Sequence, residues 1–236
     1  MPTVLNEETI SEMAKAGVVY GHKKSRTHPK MRPYIAGTRN EIEFIDPEAT
    51  LNALQKATEF LKEKIKAGGL VLLVGTISAA KNAIEEFAHE LKFPYVTTRW
   101  LGGTLTNFKV LNDRKTYYET LKTRREKGEL AKYTKKEQLE FSKEIAKLSK
   151  NFDGLANLSR VPDALLVVDI DEHGTAIREA RKMRIPIVAL VDTDDDVSLV
   201  DYPIFANDHA KSSIEWVVGK IKEGIKDNSE TLNPKS

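Results

Sequence analysis

The sequence contains no cysteine. A disulfide scaffold and a thiolate zinc site are therefore excluded, and a reducing compartment is favoured. Long hydrophobic runs are missing too, because no apolar stretch approaches the roughly 20 residues needed to span a bilayer. The opening segment MPTVLNEETISEMAKAG carries acids where a secretory signal needs a basic flank and an apolar run, so a cytosolic chain with no membrane partner is expected. Several catalytic signatures are absent. The first strand-like run is followed by GTISAA, with one glycine where a dinucleotide fold needs G-x-G-x-x-G, so Gly75 reads as a tight turn. No P-loop, G-x-S-x-G elbow or H-E-x-x-H pair occurs either.

What is present suits a soluble globular protein. The chain has 236 residues, 40% of them hydrophobic and 31% charged, enough for one large domain, with or without an appendage. The net charge of +2 conceals a strong asymmetry. Between Tyr20 and Asn40 lie Lys23, Lys24, Arg26, Lys30, Arg32 and Arg39 with no acid among them. Between Arg99 and Lys150, fourteen lysines and arginines face seven acids. From Asp192 to Asp208 the sign inverts, with Asp192, Asp194, Asp195, Asp196, Asp201 and Asp208 and no lysine or arginine. Two basic segments and an acidic one suggest a surface with one side for polyanions. Ordinary solvated faces are the alternative reading of such runs.

The periodicity predicts an α/β fold. Apolar runs LVLLV (70–74), FPYV (93–96), ALLVV (164–168), IPIVALV (185–191) and YPIF (202–205) alternate with amphipathic patterns. Those patterns cover 47–66, 78–91, a stretch with Ile177 and Ala180, and one with Ile214, Val217, Val218 and Ile221 opened by Asn207 or Asp208. Continuous apolar strands between such helices indicate a parallel sheet covered on both faces. Residues 105–155 break the rhythm. Phe141, Ile145, Leu148, Phe152 and Leu155 recur with coiled-coil spacing, and Phe108, Leu111, Tyr118 and Leu121 form a looser stripe. Gly128 suits a helix end and Thr134 with Glu137 a capping box. The expected organisation is an α/β body from 1–104 and 156–226, a helical hairpin at 105–155, and a disordered polar tail at 227–236.

Two stretches invite a ligand. HKKSRTHPKMRPYIAGTRN mixes cations with Tyr34 and with prolines expected to hold an extended basic loop over 20–40, suited to phosphates and unpaired bases. His22 and His28 in it could bind metal, but without cysteine or nearby acid they fit phosphate or ribose better. VDTDDD, at a strand's C-terminal end, is the best catalytic candidate, with Asp192, Asp194 and Asp196 holding Mg²⁺ in a nucleotide or sugar-phosphate enzyme. Its alternative is a solvated acidic loop, or one that docks a basic partner. No phosphate cradle or partnered base accompanies it.

Taken together, AGVVYGHKKSRTHPKMRPYIAGTRNEIEFIDPEAT, VGT, RWLGGTLTNF, YTKKE, PDALLVVD, IPIVALVDT and VDYPIFANDHA follow the order of one family. From about Ala16 to Ile221 the chain resembles bacterial ribosomal protein S2, although Val19 and Tyr20 stand where that family commonly has His and Phe. DEHGTA at 171–176, Ser198-Leu199 and Phe205-Ala206 differ as well. The resemblance implies a flavodoxin-like body with a coiled-coil hairpin and no enzymatic activity; no cofactor and no metal ligand is expected from the motifs present. It implies a structural role in the small ribosomal subunit: binding its RNA, contacting neighbouring proteins, joining late in assembly and helping to hold the large S1 protein. Gly21, His22, Lys23, Lys24, Pro29, Lys30, Met31, Tyr34 and Arg39 would face RNA, to which the composition of the same segment adds Arg26, His28 and Arg32. The second matching block would contribute Arg99, Trp100, Gly102, Gly103, Thr106, Asn107 and Lys109. Gly102-Gly103 is expected to be a sharp turn that phosphate can approach, next to a helix N-terminus, with Trp100 packed inward.

Overall fold

A computed structural model describes residues 7–226; the tail expected at 227–236 lies outside them. The main sheet contains β4 (Val71–Val74), β5 (Tyr95–Val96), β6 (Ala164–Val168), β7 (Ile187–Val191) and β8 (Tyr202–Phe205). All its pairings are parallel, in the order β5-β4-β6-β7-β8. Counted along the chain, that is the 2-1-3-4-5 order of the flavodoxin-like fold. Every residue of β4, β6 and β7 is buried, as a sheet covered on both faces requires.

Alternate residues feed two cores. Leu73, Leu166, Val188 and Leu190 join one, with α1 (Glu7–Ala16), α2 (Pro47–Lys66), α3 (Ser78–Leu91) and α7 (Lys211–Lys226) packed on it. Leu72, Val74, Leu165 and Val167 join the other, beneath α6 (Gly174–Met183) and the paired α4 (Phe108–Glu126) and α5 (Lys135–Phe152). The period of 2 along each strand thus divides the apolar residues between faces. The helix α1 was not anticipated. Asn207 opens the approach to α7, its Oδ1 accepting the N–H groups of His209 and Ala210 at 3.0 and 2.7 Å. Among the described residues, no helix is long and apolar enough to cross a membrane.

The α4–α5 hairpin is anchored at its base. Leu111, Tyr118, Leu121, Ile145 and Phe152 are buried there, and the rings of Tyr118 and Phe152 stack with centroids 6.4 Å apart. Lys115, only 8% exposed, satisfies the Leu158 carbonyl at 2.8 Å with its ammonium. Gly128 takes φ +71° where α4 ends, which a glycine adopts without the penalty of a Cβ. Thr134 and Glu137 form the reciprocal capping box that opens α5.

The basic segment departs from the expected extended loop. It folds into an antiparallel sheet of β1 (Tyr20–Lys23), β2 (Ile35–Arg39) and β3 (Ile42–Ile45), ordered β1-β3-β2. Short 3-10 turns at Lys24–Arg26 and Pro29–Tyr34 connect β1 to β2. Proline lacks the N–H and has a ring that clashes in an α-helix interior, but its fixed φ falls within the 3-10 range, so Pro29 and Pro33 sit in a short tight turn. Asn40 and Glu41, at φ +50° and +65°, close the β2–β3 hairpin with the left-handed pair that a two-residue turn needs.

Candidate nucleic-acid interface

In a fold with this strand order, ligands enter beyond the C-terminal ends of the strands, where β4 and β6 part. The first turn beyond β4 already has its partners there. The Thr76 N–H donates to His173 Nε2 at 3.1 Å, and His173 is 2% exposed with Nδ1 2.7 Å from the Asp169 carbonyl. A Cβ on Gly75 would meet Ile84 Cγ1 at 2.9 Å and Ala80 Cβ at 3.1 Å. Gly75 therefore lets α3 pack tightly on the strand, and the backbone donor a phosphate would need is already engaged.

The Gly102-Gly103 turn also has its donors engaged, by a residue the sequence reading missed. Glu179 on α6 accepts the N–H groups of Gly103, Leu105 and Thr106 at 2.8, 3.0 and 3.1 Å. It also accepts the Thr106 hydroxyl at 3.1 Å and the Trp100 indole N–H at 3.2 Å. Burial raises the Glu179 pKa, but these donors outweigh it and hold the carboxyl below its usual range. The expected approach of phosphate to the backbone of Gly103 and Thr106 is thus met by an internal carboxylate. Trp100 packs against the core, as expected. Arg99, Gly102, Asn107 and Lys109 remain exposed. So do Arg178, Arg181, Lys182 and Arg184 on and beside α6, a cationic cluster visible as REARKMR but far in sequence from the turn.

Lys23, Lys24, Arg26, Arg32 and Arg39 are exposed on the small sheet and its turns and form no ion pair among the described residues. Lys23 and Arg39 both pair with Ile42 of the central strand β3. Residues in lateral register share a face, so the two cations stand side by side across two strand spacings, about 10 Å. Other expected contacts are occupied. Lys30 Nζ binds Asp196 Oδ1 at 2.9 Å and Ser198 Oγ at 2.6 Å, Tyr34 stacks on Phe205 at 3.9 Å, and His28 Nδ1 accepts the Lys30 N–H at 3.3 Å. Met31 is fully buried and belongs to the core, not to an RNA-facing surface.

The VDTDDD segment is not a solvated loop. Asp192 and Thr193 are 0% exposed and Asp195 is 3% exposed. Burial, with Asp208 close by, pushes Asp195 up to about 9. Burial likewise raises Asp208 to about 6 against the pull of His209, whose own pKa its bond to Asp208 lifts to about 9. Ser198 and Lys30 hold Asp196 far below the usual carboxylate range. Asp192, Asp194 and Asp196 do not converge as a catalytic trio. Asp196 is tied to Lys30 and Ser198, while Asp192 and Asp194 turn toward His22.

Comparison with known proteins decides between the remaining readings. The family model described as "Ribosomal protein S2" matches residues 13–228. The chain belongs to the ribosomal protein S2 family. Small ribosomal subunit protein uS2 of Coprothermobacter proteolyticus is 41% identical over 94% of this chain and 83% of the relative. The uS2 proteins of Roseiflexus sp. (strain RS-1) and Thermus thermophilus are 44% and 40% identical, over 91% and 93% of this chain and 82% and 86% of theirs. As an S2-family chain it is a structural ribosomal protein and not an enzyme.

Proposed function

We propose that this S2-family protein is a cytoplasmic component of the small ribosomal subunit that serves translation by binding the subunit's RNA through phosphates and shape. The observation that carries the reading is the row of exposed, unpaired cations on one antiparallel sheet, above all Lys23 and Arg39 flanking Ile42. Arginine and lysine at such positions bind phosphates by charge, and affinity then comes largely from counterion release. Lys24, Arg26 and Arg32 extend the row, and Arg99 and Lys109 form a second contact beside the Gly102-Gly103 turn. Glu179 shapes that turn from within.

In this reading the α/β body spans 1–104 and 156–226, and residues 105–155 are an arm whose basic outer faces reach along RNA. The stripe of Phe141, Ile145, Leu148 and Phe152 supports a coiled-coil pairing of its helices. The family resemblance extends the proposal to neighbouring small-subunit proteins, late assembly of the particle and docking of the large S1 protein. The test is co-sedimentation: the purified chain is mixed with small subunits lacking their S2 protein and centrifuged over a range of salt. Stoichiometric pelleting that is released at high salt is the expected result. Failure to pellet at low salt would overturn the reading.

A further inference from the structure

The helices α6 and α7 cover opposite faces of the main sheet and hold their cations in different ways. Every lysine of α7 has an acid. Lys211 pairs with Glu215 and Lys220 with Glu223 along the helix, while Lys222 and Lys226 both pair with Glu90 of α3. On the other face, α6 reads GTAIREARKM, with Arg184 as its C-cap. Arg178, Arg181, Lys182 and Arg184 are all exposed, and none of them forms an ion pair among the described residues.

The cations of α6 also share a direction. Arg178, Arg181 and Lys182 recur at i, i+3 and i+4, which places them within about 100° of arc. Ala176, Ile177 and Ala180 are buried on the opposite side of the helix. Glu179, the single acid of α6, turns inward to the Gly103, Leu105 and Thr106 N–H groups and neutralises nothing outside. Like charges at this spacing repel and weaken a helix. The helix dipole favours cations in the last turn, which accounts for Arg181 and Lys182. It gives no reason for Arg178 in the middle of the helix, where Nη2 donates to the Thr175 hydroxyl at 3.1 Å. A polyanion laid along this face would relieve the repulsion.

Glu179 also fixes where the face lies. It seats the turn of Gly103 to Thr106 on α6, and Lys182 follows three residues later, about 4.5 Å along the axis. Arg99 and Lys109 flank the same turn, so the helix continues their cationic margin. Ile177 and Ala180 of α6 share a core with Met31 and Ile45 of the small basic sheet and with Leu111 of α4. The three basic features therefore lie on one side of the main sheet.

We propose that the outer face of α6, formed by Arg178, Arg181, Lys182 and Arg184, is a further binding surface for the phosphates of small-subunit RNA, continuous with Arg99 and Lys109. This inference rests on the RNA-binding reading above and adds to it a separate element. Three of the four cations are arginines, whose planar forks match pairs of phosphate oxygens. An acidic protein would meet the same charges, but a protein interface calls for an apolar centre, and Met183 is the one exposed large apolar side chain on α6.

The test adds the full chain to small subunits lacking their S2 protein and measures affinity over a range of salt. One variant carries Arg178→Ala, Arg181→Ala and Lys182→Ala; these side chains are exposed, so it keeps its fold. A second variant removes the same charge from α7 by Lys211→Ala, Lys220→Ala and Lys222→Ala. The α6 variant should bind more weakly, with a slope of log K against log salt shallower by about 2 to 3. Its deficit should then shrink by about 20- to 40-fold between about 50 and 200 mM salt. The α7 variant should keep the parent slope. Because the chain has no cysteine, Thr175→Cys gives a single attachment point beside Arg178 for an iron chelate that cleaves nearby RNA. Cuts from that position are expected, and none from Asn82→Cys on the exposed side of α3. A parent slope in the α6 variant, an equal change in both variants, or no cuts from Thr175→Cys would overturn the proposal while RNA binding by the small sheet stands. Weaker uptake of the α6 variant with a parent slope and no cuts would assign the face to an acidic protein, and so overturn it as well. A parent that fails to bind at low salt overturns the underlying reading, and the proposal with it.

Discussion

Glu179 Oε1 accepts the Gly103 N–H at 2.8 Å, so the most suggestive turn in the chain holds an internal anion. With the Leu105 and Thr106 N–H groups on Oε2, the carboxylate occupies a backbone nest of the kind that binds phosphate elsewhere. The turn is thereby held from within by side-chain bonds to its backbone. Arg99 and Lys109 then project from a fixed base.

Glu179→Ala leaves several inward-facing donors without an acceptor and should destabilise the fold by about 3 kcal/mol. Urea melts measure this directly. Glu179→Gln keeps the shape and loses the charge, and its cost should be smaller.

The same carboxylate gives a pH signature. Its folded pKa is lowered, so its contribution is fully present above the unfolded value near about 4.3 and is lost as pH falls through the folded one. Between parent and Glu179→Gln, the stability difference should therefore be constant at neutral pH and shrink below about pH 4.3. A difference that grows on acidification contradicts the arrangement.

Glycine supplies a matched pair of tests. A Cβ on Gly21 would meet Thr193 Cγ2 at 2.4 Å and Oγ1 at 2.7 Å, whereas one on Gly37 meets nothing within 4 Å. Gly21→Ala should cost about 1 to 3 kcal/mol by prising β1 from the acidic loop, and Gly37→Ala should be close to neutral. Thermal melts of the two variants side by side give the comparison.

At the hairpin, Thr134→Ala removes the cap that accepts the Glu137 N–H. The expected loss is about 1 kcal/mol, with faster hydrogen exchange in the first turn of α5 and unchanged exchange in β6 and β7.

Much of this architecture was legible because it is written in local periodicity. The strands Ala164–Val168 and Tyr202–Phe205 and the helices Pro47–Lys66 and Ser78–Leu91 lie where the apolar pattern and flanking residues predict them. The hairpin's Gly128 and capping box were equally readable, since their signals span a few residues. The extended basic loop was misjudged because proline's φ serves a 3-10 turn as well as an extended chain. What stayed hidden depends on long separations. Glu179 lies 76 residues from Gly103, and His22 lies 171 from the Thr193 that holds it. His22 seemed to lack acids only because its acids come from the other end of the chain.

The central claim is that cations on the small antiparallel sheet hold ribosomal RNA by its phosphates. Its most direct test is the salt dependence of affinity for small-subunit RNA, compared between the parent and a variant with Lys23, Lys24, Arg32 and Arg39 all changed to Ala. Each lost phosphate contact should flatten the slope of log K against log salt by about 0.7 to 0.9, so the variant should bind more weakly with a slope shallower by about 3. An unchanged slope in the variant, or a parent affinity indifferent to salt, would contradict the account.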